Sequence, residues 1–171
     1  MYKRQVQLTA STGAVIDSSI VTGAGTQGIL LRRTGNAYVR NNLVYTSAEW
    51  AITLDNTDSP LPAPVTANVV AFNTVHANGM GIRMLNASGE VRDNQLTEQR
   101  DLALYLAGPD LLAHHNNFSA NGRDRDTESA YSGTIRVWAS IGANPRYVKP
   151  AGLDGVLGGA GWRDDDFQQV V

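Results

Sequence analysis

Side chains that can bind or neutralise an acidic group recur along this chain at a spacing set by a repeated polar residue. The repeated run reads apolar, any, any, Asn or Ser, any, apolar. Its polar marker falls at Ser18, Asn42, Asn73, Asn94 and Asn116. Two residues before the marker stand Ile16, Arg40, Ala71, Arg92 and His114, and three residues after it stand Val21, Tyr45, His76, Thr97 and Ser119. Arginine forks suit carboxylates and aromatic rings lie against sugar faces, so these columns suit an acidic sugar chain.

A second column lies between paired apolar residues. The pairs are Ile29/Leu31, Ile52/Leu54, Ile82/Met84, Leu104/Leu106 and Ile135/Val137, and the residues between them are Leu30, Thr53, Arg83, Tyr105 and Arg136. Breaking a uronate chain by elimination needs a group that neutralises the carboxylate and a base for the adjacent proton. We expect Arg92 with His114, or Arg83 with Tyr105, to be the catalytic residues of such a site. Arg40, Arg136, Tyr45 and His76 would then bind substrate. The alternative is an ordinary exposed sheet face, which carries the same residue types.

These columns require short strands stacked at a constant spacing. The apolar pairs alternate with period two, so one face of each strand is buried and the other is wet. No segment shows a sustained helical period. A repeat of 21 to 31 residues is typical of a solenoid. The pattern therefore predicts an all-β parallel β-helix of about five coils, with equivalent strands roughly 4.8 Å apart. Asparagine suits the corners because it tolerates left-handed backbone and its amide can bond to the next coil.

The regular coils are expected over residues 1–141, interrupted by two loops. Residues 57–68 contain three prolines and must leave the sheet, and residues 121–131 are charged and rich in turn formers. Residues 142–171 are rich in glycine and proline. We expect them to form an irregular tail that packs Tyr147, Val148, Trp162 and Phe167 over the end of the solenoid.

Composition excludes several classes of function. The chain has 171 residues, the size of one domain, and a net charge of -2. No basic surface argues for nucleic acid, and no apolar run approaches the length of a membrane span. The absence of cysteine excludes disulfides and thiolate metal sites. The N-terminus lacks the apolar stretch of a signal peptide.

Two groups of residues raise the question of a metal ion. His114 and His115 are adjacent, and neighbours on a strand point to opposite faces, so we do not expect them to chelate one ion. Asp154, Asp164, Asp165 and Asp166 with the glycine loop between them would supply the oxygen ligands of a calcium site. A solvated acidic turn is the other interpretation of that segment.

The chain resembles the right-handed parallel β-helix proteins of the pectin-lyase-like superfamily. The coil pattern and asparagine ladder over about residues 15–118 carry the resemblance. The segments at 144–155 and 164–167 are similar to the region after the coils in many exported bacterial members, although those often have an acidic residue where Lys149 stands. The resemblance implies export to the periplasm or cell exterior and a long glycan-binding face.

The superfamily contains polysaccharide lyases as well as non-catalytic structural and adhesive modules, so both functions stay open. Its members begin with a signal peptide and a cap over the first coil, and they have more coils than this chain. We therefore expect this chain to be the C-terminal portion of a longer protein, or a short one whose open N-terminal edge is covered by a partner.

Overall fold

The computed structural model describes residues 5–58, 67–128, 133–151, 157 and 166–169 of the chain. Within these ranges the regular structure consists of strands: β1 (Val6–Thr9), β2 (Val15–Asp17), β3 (Ile20–Thr22), β4 (Ile29–Arg32), β5 (Tyr38–Arg40), β6 (Leu43–Tyr45), β7 (Trp50–Asp55), β8 (Asn68–Ala71), β9 (Thr74–His76), β10 (Met80–Leu85), β11 (Gly89–Arg92), β12 (Gln95–Thr97), β13 (Leu102–Ala107), β14 (Leu111–His114), β15 (Asn117–Ser119), β16 (Arg123–Thr127), β17 (Ile135–Trp138), β18 (Tyr147–Lys149) and β19 (Asp166–Gln169). The described part of the chain contains no helix that is long and apolar enough to cross a membrane.

Three parallel sheets run the length of the molecule. The first has the order β1-β4-β7-β10-β13-β16, the second β17-β14-β11-β8-β5-β2, and the third β15-β12-β9-β6-β3. Each strand therefore pairs with the equivalent strand one turn later. This confirms the predicted all-β parallel β-helix of about five turns.

Apolar columns fill the interior of the helix. In the first sheet Ile29, Ile52, Ile82 and Leu104 lie in register, as do Leu31, Leu54, Met84 and Leu106, and all are 0% exposed. The inward residue of the second and third sheets is usually a valine, as at Val39 and Val44. Each fully buried side chain of this size contributes about 1.5 to 3 kcal/mol to folding. The core is thus built one layer per turn.

The asparagine ladder lies at the corner between the second and third sheets. Asn42, Asn73, Asn94 and Asn116 are all buried, and each amide oxygen accepts the backbone N–H of the ladder residue one turn earlier at 3.0 to 3.1 Å. The first rung is Ser19, because the amide oxygen of Asn42 accepts from its N–H. The prediction that Ser18 is the first marker is wrong by one residue.

The left-handed backbone at this corner belongs to the residue before each ladder position. Ser18, Asn41, Phe72, Asp93 and His115 have φ between 51° and 57°. The ladder asparagines instead connect successive turns through the hydrogen bonds of their side-chain amides. A second ladder, which the sequence did not predict, runs through Asn78, Gln99 and Asn121 at the corner that follows the third sheet.

Two predicted irregular segments contain strands. β16 lies inside the predicted loop at 121–131, where it pairs with β13 and extends the first sheet. Ile135 and Val137 therefore belong to the second sheet, through β17, and do not continue the first-sheet pairs. In the tail, β18 and β19 form an antiparallel pair. Trp162 and residues 59–66 of the proline-rich loop lie outside the described residues.

Candidate functional site

The outer face of the second sheet gathers most of the chemistry-bearing side chains. The residues in register along it are Asp17, Arg40, Ala71, Arg92, His114 and Trp138. Ile16, which the repeat placed in this column, faces inward and is 7% exposed, because the true marker of that turn is Ser19. Asp17 takes its place and accepts a 2.8 Å hydrogen bond from Nε of Arg40.

Arg92 and His114 lie on adjacent strands, as predicted, and Glu90 joins them. One oxygen of Glu90 lies 3.1 Å from Nε of Arg92, and the other lies 3.2 Å from Nε2 of His114. Nη1 of Arg92 also lies 2.8 Å from a carboxylate oxygen of Asp93. The hydrogen bonds to Asp93 and Glu90 raise the pKa of Arg92 above its ordinary value. The positive charge of Arg92 is therefore shared between two carboxylates of the protein itself.

His114 and His115 face each other with their Nδ1 atoms 2.7 Å apart. The expectation that they point to opposite faces is wrong, because His115 has a φ of 52° and stands at the corner after β14. A left-handed residue breaks the alternation of a strand. A carboxylate accepts hydrogen bonds, so the neutral tautomer of His114 that donates Nε2–H to Glu90 has a lone pair on Nδ1, facing His115.

Trp138 closes one side of this histidine pair. Its ring stacks on His114 with a centroid distance of 4.6 Å and an interplanar angle of 27°. Trp138 is 44% exposed, so the cluster stays open to solvent. Glu90 and Trp138 were missed in the sequence, and His115 was considered as a metal ligand beside His114 but rejected. Glu90 was findable, because it stands two residues before Arg92 on the same face of one strand.

A groove of about 650 Å³ borders the cluster on the same sheet and shares Glu90 with it. Its other lining residues are Ala67, Val69, Ser88, Gly89, Asp110, Leu112, Thr134 and Arg136. Arg136 pairs with Leu112 in the second sheet. The prediction that it continues the first-sheet column is wrong, because Asp126 of β16 occupies the position beside Tyr105.

Arg83 and Tyr105 lie in register on the first sheet, as predicted. The guanidinium of Arg83 lies 5.2 Å from the centre of the Trp50 ring, and its buried Nε has no hydrogen-bond partner. Burial lowers the pKa of Arg83 from its ordinary value. The hydroxyl of Tyr105 donates to the carboxylate of Glu128. This pair is therefore separate from the histidine cluster of the second sheet.

Tyr45 and His76, two predicted substrate-binding residues, lie on the outer face of the third sheet but are covered. Tyr45 is 0% exposed and His76 is 3% exposed. The rings of Tyr147 and Phe167 pack against them. The tail thus covers a sheet face, whereas the sequence placed it over the end of the solenoid. In this arrangement neither residue can touch a polysaccharide.

The predicted calcium ligands Asp154, Asp164 and Asp165 lie outside the described residues, as does the side chain of Asp166. The calcium site stays a prediction. Among the residues that the structure describes, no group of three or more His, Cys, Asp or Glu side chains is placed to hold a metal ion.

The stacked sheets and the asparagine ladder define a parallel β-helix with the pectin-lyase-like fold, which confirms the resemblance found in the sequence. Residues 2–133 match the model of a family described as periplasmic copper-binding protein (NosD). Because this match covers most of the chain, the protein belongs to the NosD family. The family is periplasmic, in agreement with the predicted location. No curated protein and no solved structure matches the chain.

Proposed function

We propose that this NosD-family β-helix binds a copper ion through His114 and His115. The observation that carries the proposal is the 2.7 Å approach of the two Nδ1 atoms on an outer sheet face. Imidazole nitrogen suits copper, and among divalent first-row metals Cu²⁺ binds a given nitrogen site most tightly. Two protein ligands leave the remaining positions to water or to a group from another molecule.

The surroundings of the pair fit this use. A histidine that binds a metal usually donates its other N–H to a carboxylate, which fixes the tautomer and the ring orientation. Glu90 is placed to do this for His114, and Arg92 holds Glu90 in turn. Stacking on Trp138 restricts the His114 ring further. The orienting groups therefore belong to the same sheet face as the ligands.

The test is a titration of the purified chain with Cu²⁺ against a competing chelator. Glu90→Gln should weaken binding by about 10- to 100-fold, the usual effect of removing an orienting partner. His114→Gln and His115→Gln should each weaken it at least as much. Because Trp138 stacks on His114, its fluorescence should be quenched as Cu²⁺ binds, and Trp138→Phe should remove that signal.

His76→Gln is the matched control, since the chain has 3 histidines and His76 is the one outside the cluster. Its copper affinity should equal that of the wild type. If a double variant of His114 and His115 binds Cu²⁺ as tightly as the wild type, the proposal is wrong.

Recognition of an acidic polysaccharide is a second proposal, supported by the groove beside the cluster. Val69 and Leu112 give it apolar walls, and Arg136 makes no ion pair with any described residue. Apolar surface and the cation of Arg136 suit the faces and carboxylates of a uronate chain, against the repulsion of Glu90 and Asp110, which also line the groove. Cleavage is less favoured than binding, because Arg92 already neutralises two carboxylates of the protein.

A panel of uronate polysaccharides separates the remaining functions. Binding that Arg136→Gln weakens, without the ultraviolet absorbance of unsaturated products, supports a recognition module. New absorbance supports a lyase. If the panel gives neither binding nor absorbance, the structural or adhesive module is favoured.

A further inference from the structure

The two tail strands, β18 and β19, form a strap across the outer face of the third sheet. Phe167 packs on Tyr45 with ring centroids 5.1 Å apart, and Tyr147 and Phe167 contact each other at 5.3 Å. Both strap rings also contact the His76 ring in T-shaped arrangements, each at a centroid distance of 5.3 Å. His76 is therefore enclosed by its own sheet on one side and by the strap on the other.

His76 has one close polar partner and one distant charge. Its Nδ1 lies 2.9 Å from the hydroxyl oxygen of Thr97, and its Nε2 lies 3.9 Å from a carboxylate oxygen of Glu98. The titratable groups that face it from the packed elements are Glu98 after β12, Tyr147 of β18 and Tyr45 of β6. Glu98 is 61% exposed, so solvent screens its attraction for the imidazolium.

We propose that the strap is a pH-sensitive cover, which lies on the third sheet while His76 is neutral and is released as His76 gains a proton. A charged imidazolium packed against the rings of Tyr147 and Phe167 and covered by its own sheet loses its hydration and gains only a screened carboxylate. Releasing the strap restores water to the ring. The face uncovered would present Tyr45, His76 and Thr97.

The direction of the pH effect follows from the His76 pKa. Burial lowers this pKa below its ordinary value of 6.5, and Glu98 opposes the shift. Docking is therefore fully stable above about pH 6.5 and weakens as pH falls from there toward the pKa of the covered histidine. Burial raises the pKa of Tyr147, so that residue stays neutral over the whole range.

The experiment is hydrogen exchange of the full chain between pH 7.5 and pH 5, expressed as protection after correction for the intrinsic pH dependence of exchange. Protection of the strap amides should fall by at most about tenfold for each pH unit below about 6.5, because a single proton is taken up. Amides of β8 and β11 in the second sheet should keep theirs. Equal protection of the strap at both pH values overturns the proposal.

Two variants test whether His76 is the residue whose protonation releases the strap. His76→Gln keeps a polar partner for Thr97 and should make strap protection independent of pH. Glu98→Gln keeps every ring contact and removes the one opposing charge, so its strap should be released more completely at pH 5 than that of the wild type. If His76→Gln does not fold, the wild-type measurement still decides, because equal protection of the strap at pH 7.5 and pH 5 overturns the proposal without any variant.

Discussion

At the residue scale, the ladder asparagines contribute most where they satisfy backbone groups that no strand pairs. The Asn94 amide oxygen accepts from N–H of Asn73 at 3.0 Å, and its amide nitrogen donates to the carbonyl of Val70 at 2.9 Å. Its side chain is 1% exposed, so water cannot replace these bonds. A buried backbone group without a partner costs about 1 to 3 kcal/mol.

Asn94→Ala removes these two bonds and the two amide–amide bonds to Asn73 and Asn116, and it should lower the free energy of unfolding by about 2 to 4 kcal/mol. Urea denaturation measures the loss. Asn144→Ala is the control, because Asn144 is exposed and its side chain accepts, within the described residues, a single hydrogen bond from the N–H of Arg146. The free energy of unfolding of the Asn144→Ala variant should differ from that of the wild type by no more than about 0.5 kcal/mol. Equal effects of the two substitutions would show that the ladder adds nothing to stability.

The position of a single residue also explains why the sequence did not reveal that His114 and His115 face each other. The repeat placed Arg92 and His114 correctly, because both stand within strands and obey the alternation. His115 stands one residue later, where the backbone turns left-handed. The direction of its side chain depends on that single φ angle, which no spacing of apolar residues reports.

At the element scale, the strands that follow the apolar repeat were found, whereas β16, β18 and β19 were missed. β16 reads Arg-Asp-Arg-Asp-Thr and is largely exposed, yet its backbone pairs with β13 over the whole strand. Pairing uses only backbone groups, and the last strand of a sheet is where charged side chains are tolerated. A search for apolar alternation therefore cannot detect it.

Close packing of turns also explains the small residues that precede the apolar pairs of the first sheet, which are Gly28, Ala51, Gly81 and Ala103. A Cβ added to Gly81 would lie 2.1 Å from the carbonyl oxygen of Ala103 on the next turn. Gly81→Ala should therefore destabilise the protein by about 1 to 3 kcal/mol, because backbone must shift to accept the methyl group.

Thermal unfolding compares this variant with Gly142→Ala, whose new Cβ would meet its nearest neighbour, the carbonyl oxygen of Phe118, at 3.3 Å. The melting temperature of the Gly142 variant should change much less. A Gly81 variant as stable as the wild type would mean that the turns can separate without cost.

At the scale of the whole molecule, the stacking of turns was predictable and the position of the tail was not. Repeated spacing alone implies that equivalent strands lie side by side. Tyr147 and Phe167 were recognised as packing residues, but they cover Tyr45 and His76 on the third sheet. A repeat pattern describes the coils and contains no information on which outer face a non-repeating segment will choose.

The parallel sheets also make the molecule mechanically anisotropic. In the described coils, the backbone hydrogen bonds between paired strands of successive turns run across the strands, and therefore along the axis of the helix. Tension applied along that axis loads these bonds in series, so one turn can peel from the next. Tension applied along the strands loads all the bonds of a strand pair in shear, and they must break together. The protein is therefore weak when stretched lengthwise and resistant when pulled across its width.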